Sequence, residues 1–225
     1  MNYGIVGYSG RMGMEIESLF SKNGHSLLYK KDNESEEIQG IPELLIDFST
    51  PSAAKESLQT ARGFACPIII GTTGLVETDF EMMKTVSKIV PVVYSRNFSA
   101  GIMIMNSVVK MINGIGLGWD SEILEKHHRY KKDKPSGTAL MLAENFENSP
   151  EISSMRLGNI TGEHTVIYAG DEEVLEIKHS ALSRSVFARG VLMTAEKIME
   201  AKPGFYTFSG ILGLEREEKQ WIATK

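Results

Sequence analysis

The segment Gly7-Tyr8-Ser9-Gly10-Arg11-Met12-Gly13 constrains this chain more than any other feature. It follows the short apolar run Asn2 to Val6 and precedes Met12, Ile16, Leu19 and Phe20, which recur at helical spacing up to the stop Asn23-Gly24. A strand, a tight glycine turn and a helix in that order form the first half of a βαβ unit. The rhythm continues with strands expected at Ser26 to Lys30, Leu44 to Phe48, Pro67 to Ile70 and Pro91 to Tyr94. Helices are expected at Pro51 to Ala61, capped by Ser49 or Thr50, and at Glu77 to Ile89. Strands that alternate with helices over about the first hundred residues predict a parallel, Rossmann-like doubly wound sheet.

After Ser99 the pattern changes. A long apolar helix to about Gly116, a strand from Asp120 to His127, a basic loop and a helix from about Ser136 come first. Three strand-like segments follow, at Ser153 to Gly158, His164 to Gly170 and Glu173 to Ser180, and their glycine-containing turns suggest antiparallel pairing. The expectation is a second α+β domain with a mixed or antiparallel sheet, over 99–183. Residues 1–98 and 184–225 then form the dinucleotide-binding domain, with a helix from about Arg184 to Ala201 and a short one near Thr207 to Leu212.

Composition removes several function classes. A net charge of -5 argues against bulk electrostatic binding to nucleic acid, and no helix-turn-helix reader is found. The single Cys66 permits no internal disulfide, and the start MNYGIVG lacks a basic segment followed by an apolar one, so a cytoplasmic location is expected. The apolar stretch Ser99 to Trp119 is interrupted by Asn106, Lys110 and Asn113, which argues against a membrane span. No His, Cys or carboxylate spacing fits a metal.

Two constellations carry chemistry. In the glycine turn, small residues let backbone approach a pyrophosphate at a helix N-terminus, and Arg11 adds a cation there. Ser9 occupies the usual second glycine, so the fingerprint is imperfect. Asp32, after the second strand, is placed to accept from an adenine ribose hydroxyl, while Lys30 and Lys31 offer cations to a 2′-phosphate; NADH, NADPH or both fit. The other constellation runs from Lys126 to Lys134, where five Lys/Arg and two histidines surround one acid in an acidic chain. It leads directly into Pro135-Ser136-Gly137-Thr138, a helix start. A small dianion fits both, and either His127 or His128 could donate a proton near neutrality.

These stretches, with Ile46-Asp47-Phe48-Ser49, Gly71-Thr72-Thr73-Gly74, Asn97-Phe98-Ser99, Gly162-Glu163-His164-Thr165 and Ser183-Arg184, strongly resemble the 4-hydroxy-tetrahydrodipicolinate (dihydrodipicolinate) reductase family of the diaminopimelate route to lysine. The stretch HHRYKKDKPSGTA is the most specific part, and it separates the chain from other two-domain NAD(P)-dependent dehydrogenases, such as aspartate dehydrogenase. The resemblance implies hydride transfer from NADH or NADPH to a cyclic dicarboxylate in a homotetramer. It assigns His127 as proton donor, Lys131 as second catalytic cation, and His128, Gly137 and Thr138 as substrate contacts. Coenzyme contacts are implied for Gly7, Tyr8, Ser9, Gly10, Arg11, Met12, Asp32, Gly71, Thr72, Thr73, Ser95, Arg96, Asn97 and Phe98. The chain departs from the family pattern at Arg96 and Lys134, where smaller residues are common.

Overall fold

The computed structural model describes residues 1–33 and 35–213. Two compact units emerge, one formed by Met1–Ser95 with the segment from Ala188 onward, the other by Arg96–Phe187.

The first unit begins with β1 (Asn2–Val6), α1 (Arg11–Lys22), β2 (Ser26–Lys31), β3 (Glu36–Ile38) and β4 (Leu44–Asp47). It continues with α2 (Pro51–Phe64), β5 (Ile68–Ile70), α3 (Glu77–Val86) and β6 (Pro91–Tyr94). The sheet is completed by β11 (Gly204–Thr207) in the order β11-β6-β5-β4-β1-β2-β3, and only the β2–β3 pair is antiparallel. Its central strands are buried on both faces: Leu44, Leu45, Ile46, Ile68, Ile69 and Ile70 are all inaccessible to solvent, as expected where helices cover a parallel sheet. Helix α1 turns Gly13, Ile16 and Phe20 inward, and α2 turns Ala54, Ser57, Leu58 and Ala61 inward, each set at helical spacing. Successive connections leave β1 toward β2 on one side and reach β4 on the other. The crevice at the carboxyl ends of β1 and β4 is therefore the topological switch point where such sheets take ligands.

Two strands here differ from expectation. Residues Glu36 to Ile38 pair with β2, and Gly204 to Thr207 pair in parallel with β6, where no strand is expected from the sequence. Helix α2 also runs one turn further, to Phe64, and ends on Ala65 in the left-handed region at φ 53°. Thr50 takes its N-cap position without a side-chain capping bond.

The second unit holds α4 (Ala100–Ile115), β7 (Asp120–His127), α5 (Gly137–Ala143), β8 (Glu151–Arg156), β9 (Gly162–Ala169) and β10 (Val174–Ala181), and α6 (Ser185–Ile198) leads back to the first. A short α7 (Phe208–Ile211) follows β11. The sheet order is β10-β9-β7-β8. Antiparallel pairing holds for β9 with β10 and β7, and β8 lies parallel to β7, so of the mixed or antiparallel sheet expected here the mixed form is the one observed. Helix α5 intervenes between β7 and β8, and a crossover of that kind returns the chain in the same direction. Ile102, Met105 and Val109 of α4 and Ala139, Leu142 and Ala143 of α5 pack on Ile123, Val166 and Tyr168 of the sheet.

Candidate active site

The inner face of β7 reads Ile123, Glu125, His127, all buried, because alternate residues of a strand share a face. The apolar stripe thus turns polar at its carboxyl end. Register brings two neighbours to the same place: Glu125 lies opposite His164 of β9, and His127 lies opposite Arg156 of β8. Arg156 closes a fork on Glu125, with Nη2 2.7 Å from Oε1 and Nη1 2.9 Å from Oε2. Glu125 Oε2 also meets His127 Nδ1 in a very short contact. The His164 ring stands edge-on to His127 at 5.1 Å between centroids.

These neighbours set the titration of the group. Burial raises the Glu125 carboxyl, but Arg156 and His127 outweigh it and hold it at about 2. Burial pushes His127 down, Glu125 opposes that, and Lys131 and Arg156 reinforce it, so the net direction is downward. Burial brings His164 down to about 3, with His127 adding to the effect.

The basic loop does not act as one block. Lys126 points to the opposite face of β7, where Glu163 Oε1 lies 2.7 Å away, and Glu163 also takes Lys178 at 3.0 Å. Lys131 pairs with Asp133 at 2.7 Å, and the Asp133 carbonyl accepts from Arg156 Nη2 at 2.6 Å. The loop then reaches α5, whose N-cap Ser136 accepts the Ala139 N–H and lies 3.1 Å from His164 Nε2. Gly137 opens this helix and Thr138 is buried within it. Asn97 Nδ2 donates to Thr138 Oγ1 at 2.9 Å, and Arg96 pairs with Glu144 at 2.6 Å. His128 sits one residue beyond β7, its ring 6.4 Å from that of Tyr130. His127, Lys131, Gly137, Thr138, His128, Arg96, Asn97 and Phe98 all fall in the second unit.

The other predicted residues gather in the first unit. Gly7 has φ 83°, and a Cβ there would stand 2.5 Å from the Phe48 carbonyl oxygen; a Cβ on Gly13 would stand 2.3 Å from the Gly7 carbonyl oxygen. Only glycine permits this turn, which brings Gly10 and exposed Arg11 to the start of α1. Asp32 Oδ2 accepts the Ser9 N–H at 3.1 Å, fixing the turn against the end of β2. A cleft of about 360 Å³ opens here, lined among others by Gly7, Ser9, Gly10, Lys31, Asp32 and Ser49. Backbone N–H groups, missing Cβ atoms and an acceptor at the end of β2 suit a dinucleotide. The two lysines, however, are already engaged: Lys30 with Glu37 at 3.1 Å, and Lys31 with Glu56 at 2.5 Å and Glu36 at 3.9 Å. Gly71, Thr72 and Thr73 follow β5, and Ser95 donates its N–H to the Ile70 carbonyl at 3.2 Å. A Cβ on Gly71 would strike the Phe48 ring at 2.2 Å.

Comparison with known proteins now decides the family. The family profile "Dihydrodipicolinate reductase, N-terminus" matches residues 31–98, and "Dihydrodipicolinate reductase, C-terminus" matches residues 101–212. The chain belongs to the dihydrodipicolinate reductase family. A 4-hydroxy-tetrahydrodipicolinate reductase of Thermosipho africanus is 44% identical over 94% of this chain and 98% of its own length. Its counterpart in Bdellovibrio bacteriovorus is 38% identical over 93% and 95%. Among solved structures, a dipicolinate-bound dihydrodipicolinate reductase from a Paenisporosarcina species shares the fold, with a TM-score of 0.75 at 21% identity over 92% of this chain and 97% of that one. The chain is thus an oxidoreductase with the nicotinamide-coenzyme fold of its family.

Three residues with clear structural roles escaped the sequence reading of the site. Glu125 and Arg156 flank His127. Asp47, fully buried at the end of β4, accepts from the Ser49 N–H, the Ser49 hydroxyl and the Thr72 hydroxyl through Oδ1 alone. A charged residue on a buried strand face is a signal in the sequence for Glu125 and Asp47; for Arg156 there is none without the β7–β8 register.

Proposed function

We propose that the chain reduces 4-hydroxy-tetrahydrodipicolinate to tetrahydrodipicolinate in the diaminopimelate route to lysine. Bound NADH or NADPH supplies the hydride. The turn Gly7 to Met12, Asp32, Gly71 to Thr73 and Ser95 to Phe98 bind and orient it. His128, Gly137 and Thr138 hold the dicarboxylate, His127 supplies the proton and Lys131 stabilises charge as it develops. The observation that carries this reading is the polar end of the second sheet, where a buried histidine is set between a carboxylate and a cation. Burial and the cations favour neutral His127 in the free protein, and a dianion arriving beside it favours the protonated form that a donor needs. On the coenzyme side, Asp32 supports ribose recognition, and the engagement of Lys30 and Lys31 by acids weighs toward NADH.

The assembly we infer is a cytoplasmic homotetramer that joins through the second sheet. Val174, Leu175 and Met155 leave apolar side chains exposed on β10 and β8, as does Leu182 just beyond β10. Among the described residues no helix is long and apolar enough to cross a membrane. A monomer in light scattering at micromolar concentration refutes the assembly.

His127→Ala tests the chemistry. Removal of a general acid lowers kcat by about 10²–10⁴-fold with coenzyme affinity unchanged, and Lys131→Ala acts in the same direction. Near-normal kcat with a raised KM in His127→Ala would assign the proton to another group.

A further inference from the structure

Glu125 is a costly residue in its place. It is fully buried on the strand face that it shares with Ile123, and its burial is compensated chiefly by Arg156, which binds both of its oxygens. A well-packed apolar pair at 125 and 156 would stabilise a sheet at least as well as a buried ion pair. The pair does one thing an apolar pair cannot: it presents an acceptor to His127 Nδ1.

The rest of the His127 ring is arranged to match. Nε2 faces Gly162, where a Cβ would lie 3.1 Å from that nitrogen, so the missing side chain keeps space beside it. Around the ring stand Glu125 on its own strand, Lys131 in the following loop, Arg156 on β8 and His164 on β9. Glu125 is the anion in contact with the ring, and the cations Lys131 and Arg156 work against protonation. His164, held neutral, adds no charge near pH 7.

We propose that Glu125 is the positioning residue of His127: pinned by the Arg156 fork, it accepts the Nδ1–H, so that Nε2 is the nitrogen that carries and releases the proton. This rests on the reading of His127 as proton donor. In the step itself, once the 4-hydroxyl has left the ring as water, the Nε2–H bond breaks and the proton passes to the dehydrated ring as hydride from the reduced coenzyme adds to it. The imidazole left behind is neutral and keeps its proton on Nδ1, and solvent restores the one on Nε2. Arg156 has a second part in this arrangement: by offsetting the Glu125 charge it prevents the histidine from being trapped as a cation.

The experiment has two parts. In the wild-type protein labelled with ¹⁵N-histidine, the neutral form of His127 is expected as the Nδ1–H tautomer, and an Nε2–H tautomer overturns the proposal. Then the alkaline limb of the kcat–pH profile is compared in Glu125→Gln and Arg156→Gln. Glu125→Gln removes the anion and is expected to move the limb about one to two units toward acid, with KM for the dicarboxylate changed less than kcat. Arg156→Gln leaves the carboxylate uncompensated and moves the limb toward alkali. A role in packing alone lowers stability in both variants and moves neither limb. An unshifted limb in folded Glu125→Gln, while His127→Ala still loses kcat, overturns the proposal and leaves the proton-donor reading intact. If His127→Ala retains kcat, the reading falls and the proposal with it.

Discussion

Asp47 offers the sharpest test of how the first unit shapes its ligand crevice. Its Oδ1 accepts three hydrogen bonds, from the Ser49 N–H at 2.9 Å, the Ser49 hydroxyl at 2.6 Å and the Thr72 hydroxyl at 2.8 Å. One atom therefore ties the loop after β4 to the loop after β5. Bonds to a charged acceptor contribute about 1.5–3 kcal/mol each. The gross loss in Asp47→Ala is larger than the net, for two reasons. Ser49 is partly exposed and its donors regain water, and removal of a buried charge relieves desolvation. Thr72 is buried, so its O–H loses its acceptor, although its oxygen still accepts the Ser49 N–H. We expect a net destabilisation of about 3 kcal/mol, which in a chain of this size lowers the melting temperature by roughly 6–12 °C. Thr72→Val removes two bonds, the donation to Asp47 and the acceptance of the Ser49 N–H that Asp47 shares, and should cost about half of that. Because Thr72 is among the proposed coenzyme contacts, Asp47→Ala should also weaken NADH binding. Thermal denaturation paired with a fluorescence titration of NADH reads both effects. A melting temperature within about 2 °C of wild type, or a Thr72→Val variant as damaged as Asp47→Ala, would refute the clamp.

Lys126→Ala is expected to change kcat and substrate KM by less than about twofold, since its ammonium sits on the outer face of β7 in a half-buried pair with Glu163; steady-state kinetics beside Lys131→Ala checks this, and equal losses would contradict the division of the basic loop. The triple variant Glu36→Gln/Glu37→Gln/Glu56→Gln releases Lys30 and Lys31 and should tighten NADPH relative to NADH by about threefold, measured as the ratio of their Kd values; an unchanged ratio removes these lysines from coenzyme choice. Acid titration of stability has a worked sign. The folded His164 lies at about 3, below its unfolded value, so its contribution is complete above about pH 6.5 and is lost as pH falls toward 3. Glu125, at about 2, adds a further loss as pH drops below about 4.5. Melting temperatures from pH 8 to 3 should decline below about 6.5, and His164→Gln should flatten the upper part of that decline; a flat wild-type curve down to pH 4 would show that His164 is not held neutral by the fold.

Periodicity reveals the elements that bury a face and misses those that bury none. Helix α1 and strands β4 and β7 are legible because Ile16 and Phe20, Leu44 to Ile46, and Ile123 occupy core positions. Strand β3 has three exposed residues, so its sequence carries no burial signal; backbone pairing with β2 and the Lys30–Glu37 pair hold it. In β11, Phe205 is 39% exposed and the strand is only four residues long, so its sequence likewise carries little burial signal. The parallel direction of β8 depends on the chain crossing through α5, and local pattern does not encode direction. At the site, the histidines and the glycine turn are legible as residue types. Their partners are not, since Arg156 reaches Glu125 across 31 positions of sequence.

Counting charge along a sequence also overstates the cationic field that a ligand meets. The segment from Lys126 to Lys134 contains five basic side chains. Strand alternation sends Lys126 outward while His127 turns inward. Asp133 takes Lys131, and its own carboxyl is held low: burial raises it, and the Lys131 hydrogen bond and charge outweigh that. The charge near His127 is thus partly balanced before any ligand arrives, by Asp133 on Lys131 and by Glu125 on Arg156. A dicarboxylate that displaces Asp133 from Lys131 trades one carboxylate contact for another, so binding gains little from that cation. What changes is its use. On the role proposed for Lys131, the same ammonium lies where negative charge develops once substrate is bound, and its stabilisation then appears mainly in the transition state. A cation held in reserve by an internal acid should therefore show its loss more in kcat than in KM.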